Sequence, residues 1–322
     1  MYTGIDIGSR YIRAVEVDAR GEKVTLLRAS FTSTPEGSIE EGRIKYLDKL
    51  AIALDNFLKN GHFVAEKVAM SIFNPLVLVR KTRIPSMPDG QIKRTLLWEA
   101  KSLLAFPIEE ATLEYQVLST IAGEPPQIDV IFVIVPASMV EERVNLAEKL
   151  GLELVALDIE PFALQRALID FSPTRKTETL GLLHTGGSYS TMVIVEKGEF
   201  ALTRALPATK ERKEEDRERL MREVRRFLDF YRAQYREEHE IKENTVARLL
   251  ISGSRQDIGD FAEFLSKSIG ITCEVASPDK ELLSERSNES ALDTLFSSFP
   301  LLVVAYGLAL REKAAILEGV IE

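Results

Sequence analysis

A strand, a glycine turn and a second strand occur twice in this chain, and the repetition limits the fold more than any other feature. The first copy runs Gly4-Ile5-Asp6-Ile7-Gly8-Ser9-Arg10-Tyr11-Ile12-Arg13-Ala14-Val15-Glu16-Val17, and the second spans Leu180 to Val195 around Gly186-Gly187-Ser188. Apolar runs flank each turn, the pattern of two paired strands. A further turn and a third strand follow each copy: Arg20-Gly21-Glu22-Lys23 before Val24–Thr32, and Lys197-Gly198 before Glu199–Leu206. Two three-strand units with the same punctuation predict two related lobes facing one another, so that a ligand between them would meet both turns. Coincidence is the competing account, because glycine turns between apolar strands are common.

The turns suggest a chemistry. Gly8 has no side chain where the backbone must bend, and Ser9 adds a hydroxyl. Successive N–H groups in such a turn form a concavity suited to an anion. Asp6, one residue from the turn, supplies the carboxylate that magnesium takes together with waters and phosphate oxygens. The same residues also compose an ordinary hairpin with a solvated aspartate.

The bulk properties exclude several classes. A chain of 322 residues accommodates two domains, and 45% hydrophobic with 28% charged residues is a globular composition. A net charge of -9 argues against nucleic acid as main partner. The single Cys273 cannot form an internal disulfide and reads as a small hydrophobe; three histidines and one cysteine give no zinc cluster. The first residues enter a strand without a signal-type apolar region, and late apolar runs such as Leu301–Tyr306 are short for a bilayer. The expectation is a cytoplasmic protein without direct membrane insertion.

Between the repeats, Leu47, Leu50, Ala51, Leu54 and Leu58 form one apolar helical stripe that Gly61 ends, and Lys67–Val79 reads as strand with a turn at Asn74-Pro75. Ile84-Pro85-Ser86-Met87-Pro88 is rigid and extended, followed by a helix over Gln91–Leu104 that Phe106-Pro107 breaks. Strands Thr112–Thr120 and Ile128–Val135 then flank a Gly123–Pro126 turn. Ser138 with Glu141 is a capping box for a helix to Leu150, closed by Gly151. Residues 83–153 therefore read as an inserted α/β subdomain between a first lobe over 1–82 and a second over 154–300. A strand over Leu154–Ile159 and a helix over Pro161–Ile169 open the second lobe. Lys210–Arg226 interleaves both charge signs, as a solvated helix does, and Leu220, Val224, Phe227, Tyr231 and Tyr235 continue it on a packing face. A strand over Val246–Ser252, a helix to Ile269 and Gly270 follow. Asp279–Leu295 is polar and reads as a loop, and 301–322 as a terminal helix returning to the first lobe, in which Gly307 implies close packing.

Taken together these stretches resemble the actin-like (actin/Hsp70/sugar kinase) superfamily, an α/β, ribonuclease H-like duplicated fold with two lobes around a nucleotide cleft. Within it they look most like the PilM family of type IV pilus assembly proteins, related to the division protein FtsA. Gly4–Ser9 with Ala14–Val17 resembles the family's first phosphate loop. Pro85–Pro88, Trp98-Glu99-Ala100, Phe106-Pro107-Ile108-Glu109-Glu110 and Leu113–Leu118 match its inserted subdomain. Asp158-Ile159-Glu160 before Ala163-Leu164, and Ala305–Arg311, resemble its two interdomain connections. The resemblance implies ATP and Mg2+ as ligands. Asp6 would hold magnesium through water, and Gly8, Ser9, Arg10, Gly186, Gly187, Ser188, Gly253 and Ser254 would contact the nucleotide. Glu160, or else Asp158, would orient the attacking water; the bland role for Glu160 is a carboxylate favoured at a helix N-terminus. It also implies a partner: the cytoplasmic N-terminal tail of a single-span, PilN-like inner-membrane protein, with the chain peripheral to that membrane. Self-association stays open.

Three departures weaken turnover. His184 stands where the family's second phosphate loop carries an aspartate, the adenosine loop is Ser252-Gly253-Ser254 without paired glycines, and Pro207–Arg219 lacks the Gly-Gly segment of the part that covers the base. The expectation is a pilus, secretion or competence platform protein whose hydrolysis is weak or absent. The alternatives are a pure scaffold without nucleotide, an FtsA-like recruited protein, or a small-molecule kinase on the same scaffold.

Overall fold

The computed structural model describes residues 1–208, 214–239 and 246–317. The chain opens with β1 (Tyr2–Ile7), β2 (Tyr11–Asp18) and β3 (Thr25–Ser33), then a small hairpin of β4 (Ile39–Glu40) and β5 (Arg43–Ile44). Helix α1 (Leu47–Asn60) buries Leu50, Ala51, Leu54 and Leu58 on the expected stripe. Next come β6 (Lys67–Ile72), β7 (Leu78–Pro85), α2 (Asp89–Ala100), β8 (Ala111–Ile121), β9 (Gln127–Pro136), α3 (Ala137–Lys149) and β10 (Glu153–Ile159). Helix α4 (Glu160–Gln165) continues into a π-helical turn over Arg166–Asp170. The second half repeats the order with β11 (Thr179–Thr185), β12 (Tyr189–Glu196), β13 (Glu199–Pro207), α5 (Glu214–His239), β14 (Arg248–Gly253), α6 (Ile258–Ile269) and β15 (Thr272–Val275). Helices α7 (Glu289–Ala309) and α8 (Arg311–Leu317) close the chain.

The duplication is complete at the level of topology. One sheet has the order β3-β2-β1-β6-β10 and the other β13-β12-β11-β14-β15. In each, an antiparallel meander continues into two parallel strands from its first member. The fold is actin-like α/β, as expected. A third sheet, β7-β9-β8, carries α2.

Several sequence expectations shift. Strand β10 belongs to the first sheet, so the second lobe starts after Ile159 rather than at 154, and β7 brings residues 78–85 into the inserted sheet, ahead of 83. Helix α2 ends at Ala100. Ser138 does not cap α3: Pro136 holds the N-cap position without a side-chain bond, and the Ser138 hydroxyl accepts from Arg43 instead. The polar stretch over Asp279–Leu295 contains the start of α7, whose first turn is capped by Asn288 accepting from the Ala291 N–H at 2.9 Å. Ser298 leaves the helical region and Pro300 follows, a break that hides the helix's periodicity. Lys210–Lys213 and the side chain of Tyr235 lie outside the described residues.

Residues Glu289–Ile316 are long and apolar enough to cross a membrane by composition, with mean hydropathy 1.5, unlike the short run seen in the sequence. Burial explains the composition: Leu302 to Leu310 are all buried, and α7 packs on β1, β2 and β3 on one side and α4 and β14 on the other. At two points its backbone touches its neighbours. A Cβ on Gly307 would lie 1.9 Å from the Ala163 carbonyl oxygen, and one on Gly4 would lie 2.1 Å from that of Ala305. The ends of this contact are fixed electrostatically, since buried Asp158 accepts from Arg166 at 2.8 Å and from Arg311 at 3.1 Å. Burial works to raise the Asp158 carboxyl, but the two guanidinium groups outweigh it and hold it below the ordinary range.

Gly307→Ala therefore forces α4 and α7 apart and lowers stability by about 1–3 kcal/mol or more. Gly90→Ala, in exposed α2 with nothing within 4 Å of the added Cβ, raises it by up to about 1 kcal/mol. Paired thermal and urea denaturation of the two variants checks the contrast; equal midpoints would refute it.

Candidate functional site

The two glycine hairpins meet at the bottom of the cleft between the lobes. Each forms because its strands are apolar on both faces and its turn residues tolerate the bend. In the first, the Gly8 N–H donates to the Tyr11 carbonyl at 3.0 Å and Thr34 Oγ1 donates to the Gly8 carbonyl at 2.7 Å. Register pairs Asp6 directly with Arg13 across β1 and β2. The Arg13 guanidinium donates to Asp6 Oδ2 at 2.6 Å, and Ser71 Oγ donates to Oδ1 at 3.1 Å. Asp6 and Arg13 are both 4% exposed, so Asp6 is not a solvated turn residue.

The cleft encloses about 40 Å³, room for roughly three waters at 10–15 Å³ each. Of the residues expected there, Asp6, Gly8, Ser9, Arg10, Glu160, Gly186, Gly187 and Ser188 line it. Asp158, Gly253 and Ser254 do not. Asp158 faces Arg166 and Arg311, while the Ser254 N–H donates to the Thr185 carbonyl at 2.9 Å as an extension of the β11–β14 pairing. Arg13, Ser71, Arg143 and Tyr189 line the cleft and were not singled out from the sequence. Arg13 was within reach, because a four-residue loop between Ile7 and Ile12 sets Asp6 opposite it. Arg143 and Tyr189 arrive through tertiary contacts that carry no local signal.

Burial decides the charge of the remaining groups. The Glu160 carboxyl is pushed up to about 8, first by burial and then by the neighbouring Asp6 charge, although the Thr191 hydroxyl donates to it. Burial, with the Arg13 charge, pushes His184 down to about 3; it is neutral and hydrogen-bonded through Nδ1 to Ser252 Oγ at 2.9 Å. At neutral pH the cleft thus holds one carboxylate, already paired with an arginine, beside a protonated glutamate and a neutral histidine.

The profile of the family described as type IV pilus assembly protein PilM matches residues 4–208, well over half of the sequence. The chain belongs to the PilM family. Among solved structures, it is similar over 97% of its length to 98% of the matched chain of a PilM-PilN type IV pilus biogenesis complex, at 22% identity and TM-score 0.84. The ethanolamine utilization protein EutJ from Carboxydothermus hydrogenoformans is similar at 15% identity and TM-score 0.50, covering 96% of this chain and 88% of that one. A Bacteroides thetaiotaomicron protein of actin-like ATPase fold is similar at 12% identity and TM-score 0.45, covering 92% and 95%.

Mg2+, one of the two ligands that the superfamily implies, does not fit the residues present in this PilM-family cleft. A magnesium site needs carboxylate oxygens open to its water shell. Both Asp6 oxygens are engaged, the second carboxylate is His184, and Glu160 holds a proton. The Gly8 and Ser254 N–H groups donate within the protein. No described group of three or more His, Cys, Asp or Glu side chains forms an alternative metal site.

The Glu160 proton gives a signed pH dependence. Between the unfolded value of 4.5 and about 8 the folded protein holds a proton that the unfolded chain has released. Stability therefore falls as pH rises through that window, by ~1.4 kcal/mol per pH unit for this group. Glu160→Gln removes the dependence. Its melting point relative to the parent should be level near pH 4.5 and pull ahead towards pH 8; a difference that does not change with pH would refute the protonated state.

Proposed function

We propose that this chain is a docking platform of type IV pilus assembly. It sits on the cytoplasmic face of the inner membrane by holding the N-terminal tail of a PilN-type partner, and it performs no ATP turnover. The observation that carries the reading is the PilM family match over residues 4–208, which takes in the first lobe and the whole β7-β9-β8 unit. The end-to-end likeness to the chain from the PilM-PilN complex supports it.

The chemistry of the inserted unit suits such a role. Its inner face is closed by Ile84, Ile92, Leu96, Leu113, Val130, Phe132 and Ile134. Its outside leaves Trp98 77% exposed and Leu103, Val117 and Leu118 more than a third exposed, apolar surface that a partner segment would cover.

Trp98 is the only tryptophan, so its emission is a direct reporter. A labelled peptide of the N-terminal cytoplasmic tail from the PilN-type protein of the same organism should bind saturably by fluorescence anisotropy. Trp98 emission should shift to the blue as the peptide adds, and Trp98→Ala should weaken binding about tenfold or more, the scale of an interface anchor. Absence of saturable binding would refute the platform reading.

A further inference from the structure

We propose that the cleft between the two glycine hairpins is a joint in which the Arg13 guanidinium stands where a metal cation would and the lobes keep their spacing without nucleotide. This concerns the cleft alone and does not rest on tail binding.

The charge argument starts at Asp6. Arg13 and Asp6 face each other in register, bonded at 2.6 Å, with Ser71 on the other carboxylate oxygen. The pair cancels locally, and Arg10 and Arg143 also line the cleft, so a second cation would enter a space already rich in guanidinium groups. A metal entering here would have to expel a guanidinium that is 4% exposed and strip a buried carboxylate of its partner.

The steric argument comes from the turns. A Cβ on Gly187 would lie 2.4 Å from Ser9 Oγ and 3.0 Å from Arg10 Cγ. The absent side chain of Gly187 therefore makes room for the opposite hairpin itself. A phosphate group seated between the turns would have to separate Gly187 from Ser9.

One hydrogen bond and one ring contact cross the cleft. Tyr189, the first residue of β12, donates its hydroxyl to the Phe73 carbonyl, and the two rings meet edge to face with centroids 5.8 Å apart. Two residues along the same strand, within the second lobe, Thr191 donates to Glu160 at the start of α4. Within the first lobe, Arg143 donates to the Gly42 carbonyl at 2.5 Å, and a Cβ on Gly42 would lie 3.6 Å from the Tyr189 ring. Tyr189 thus ties the second hairpin to the first lobe through Phe73, with its ring also beside Gly42.

The test uses the full chain and Mg2+ with ATP as probes. Thermal midpoints are recorded with neither, each, and both at millimolar concentration, alongside equilibrium binding of a fluorescent ATP analogue. The expected result is an unchanged midpoint and no magnesium-dependent binding. A rise of several degrees with Mg2+ and ATP together, abolished in Asp6→Ala, would overturn the proposal. The ion pair is tested separately by urea denaturation of Asp6→Asn, Arg13→Gln and the double variant. The two single losses should be strongly non-additive, the double variant losing clearly less than their sum; additive losses would overturn the pairing. If a single variant does not fold, Gly187→Ala decides the contact between turns. It should lower the midpoint by several degrees in the absence of any nucleotide, and a midpoint equal to the parent's would show that the hairpins stand apart.

Discussion

The architecture depends on how closely one apolar helix can approach a sheet and another helix at the same time. Helix α7 is wedged between the first sheet and α4, with glycine at both points of nearest contact, Gly4 on β1 and Gly307 on α7 itself. Tight approach increases the number of atoms in dispersion contact and leaves no gap for water. It also explains why the residues from Leu302 to Leu310 are uniformly apolar: every side of that segment is covered. A helix of this composition is consistent with a membrane span only if its surroundings are ignored.

Buried charge is confined to a few places and each is answered locally. Asp158 sits between Arg166 and Arg311, which also brings the end of α7 to the start of α4. Glu16 is wholly buried, accepts from Arg28 and receives the Val64 and Ala65 N–H groups at 2.9 and 2.8 Å. Asp6 is answered by Arg13. In each case leaving one partner alone would strand a charge in a low-dielectric interior, so these pairs specify geometry more than they add stability. The cleft belongs to the same pattern, with Asp6 and Arg13 paired among its lining residues.

Much of this was legible from the sequence, and the reasons are physical. The two hairpins, the α1 stripe and the αL stop at Gly270 are set by local patterns of apolar spacing and turn chemistry, which a sequence displays directly. The repeat was visible for the same reason. What failed was non-local. Ser138 looked like a cap but is engaged by Arg43, 95 residues away, and β10 joined a sheet whose other strands lie far upstream. The start of α7 carried a readable signal in Asn288, obscured by the break at Ser298 and Pro300. In the cleft, residues of the two glycine turns line one space, but how closely the turns approach could not be foreseen. It depends on a contact between Ser9 and Gly187 and on the ionisation of buried groups, neither of which any short window of sequence encodes.

The bond from Tyr189 to the Phe73 carbonyl has a mechanical meaning. Phe73 lies just past the end of β6, where the chain leaves the first sheet and runs into β7, the strand that begins the inserted unit. A hydroxyl on the second lobe therefore grips the stem from which that unit projects. Any change in the angle between the lobes has to pull on this stem or release it, and any load on the inserted unit is felt at the hairpin. The Tyr189 phenol thus links the second hairpin directly to the root of the inserted unit.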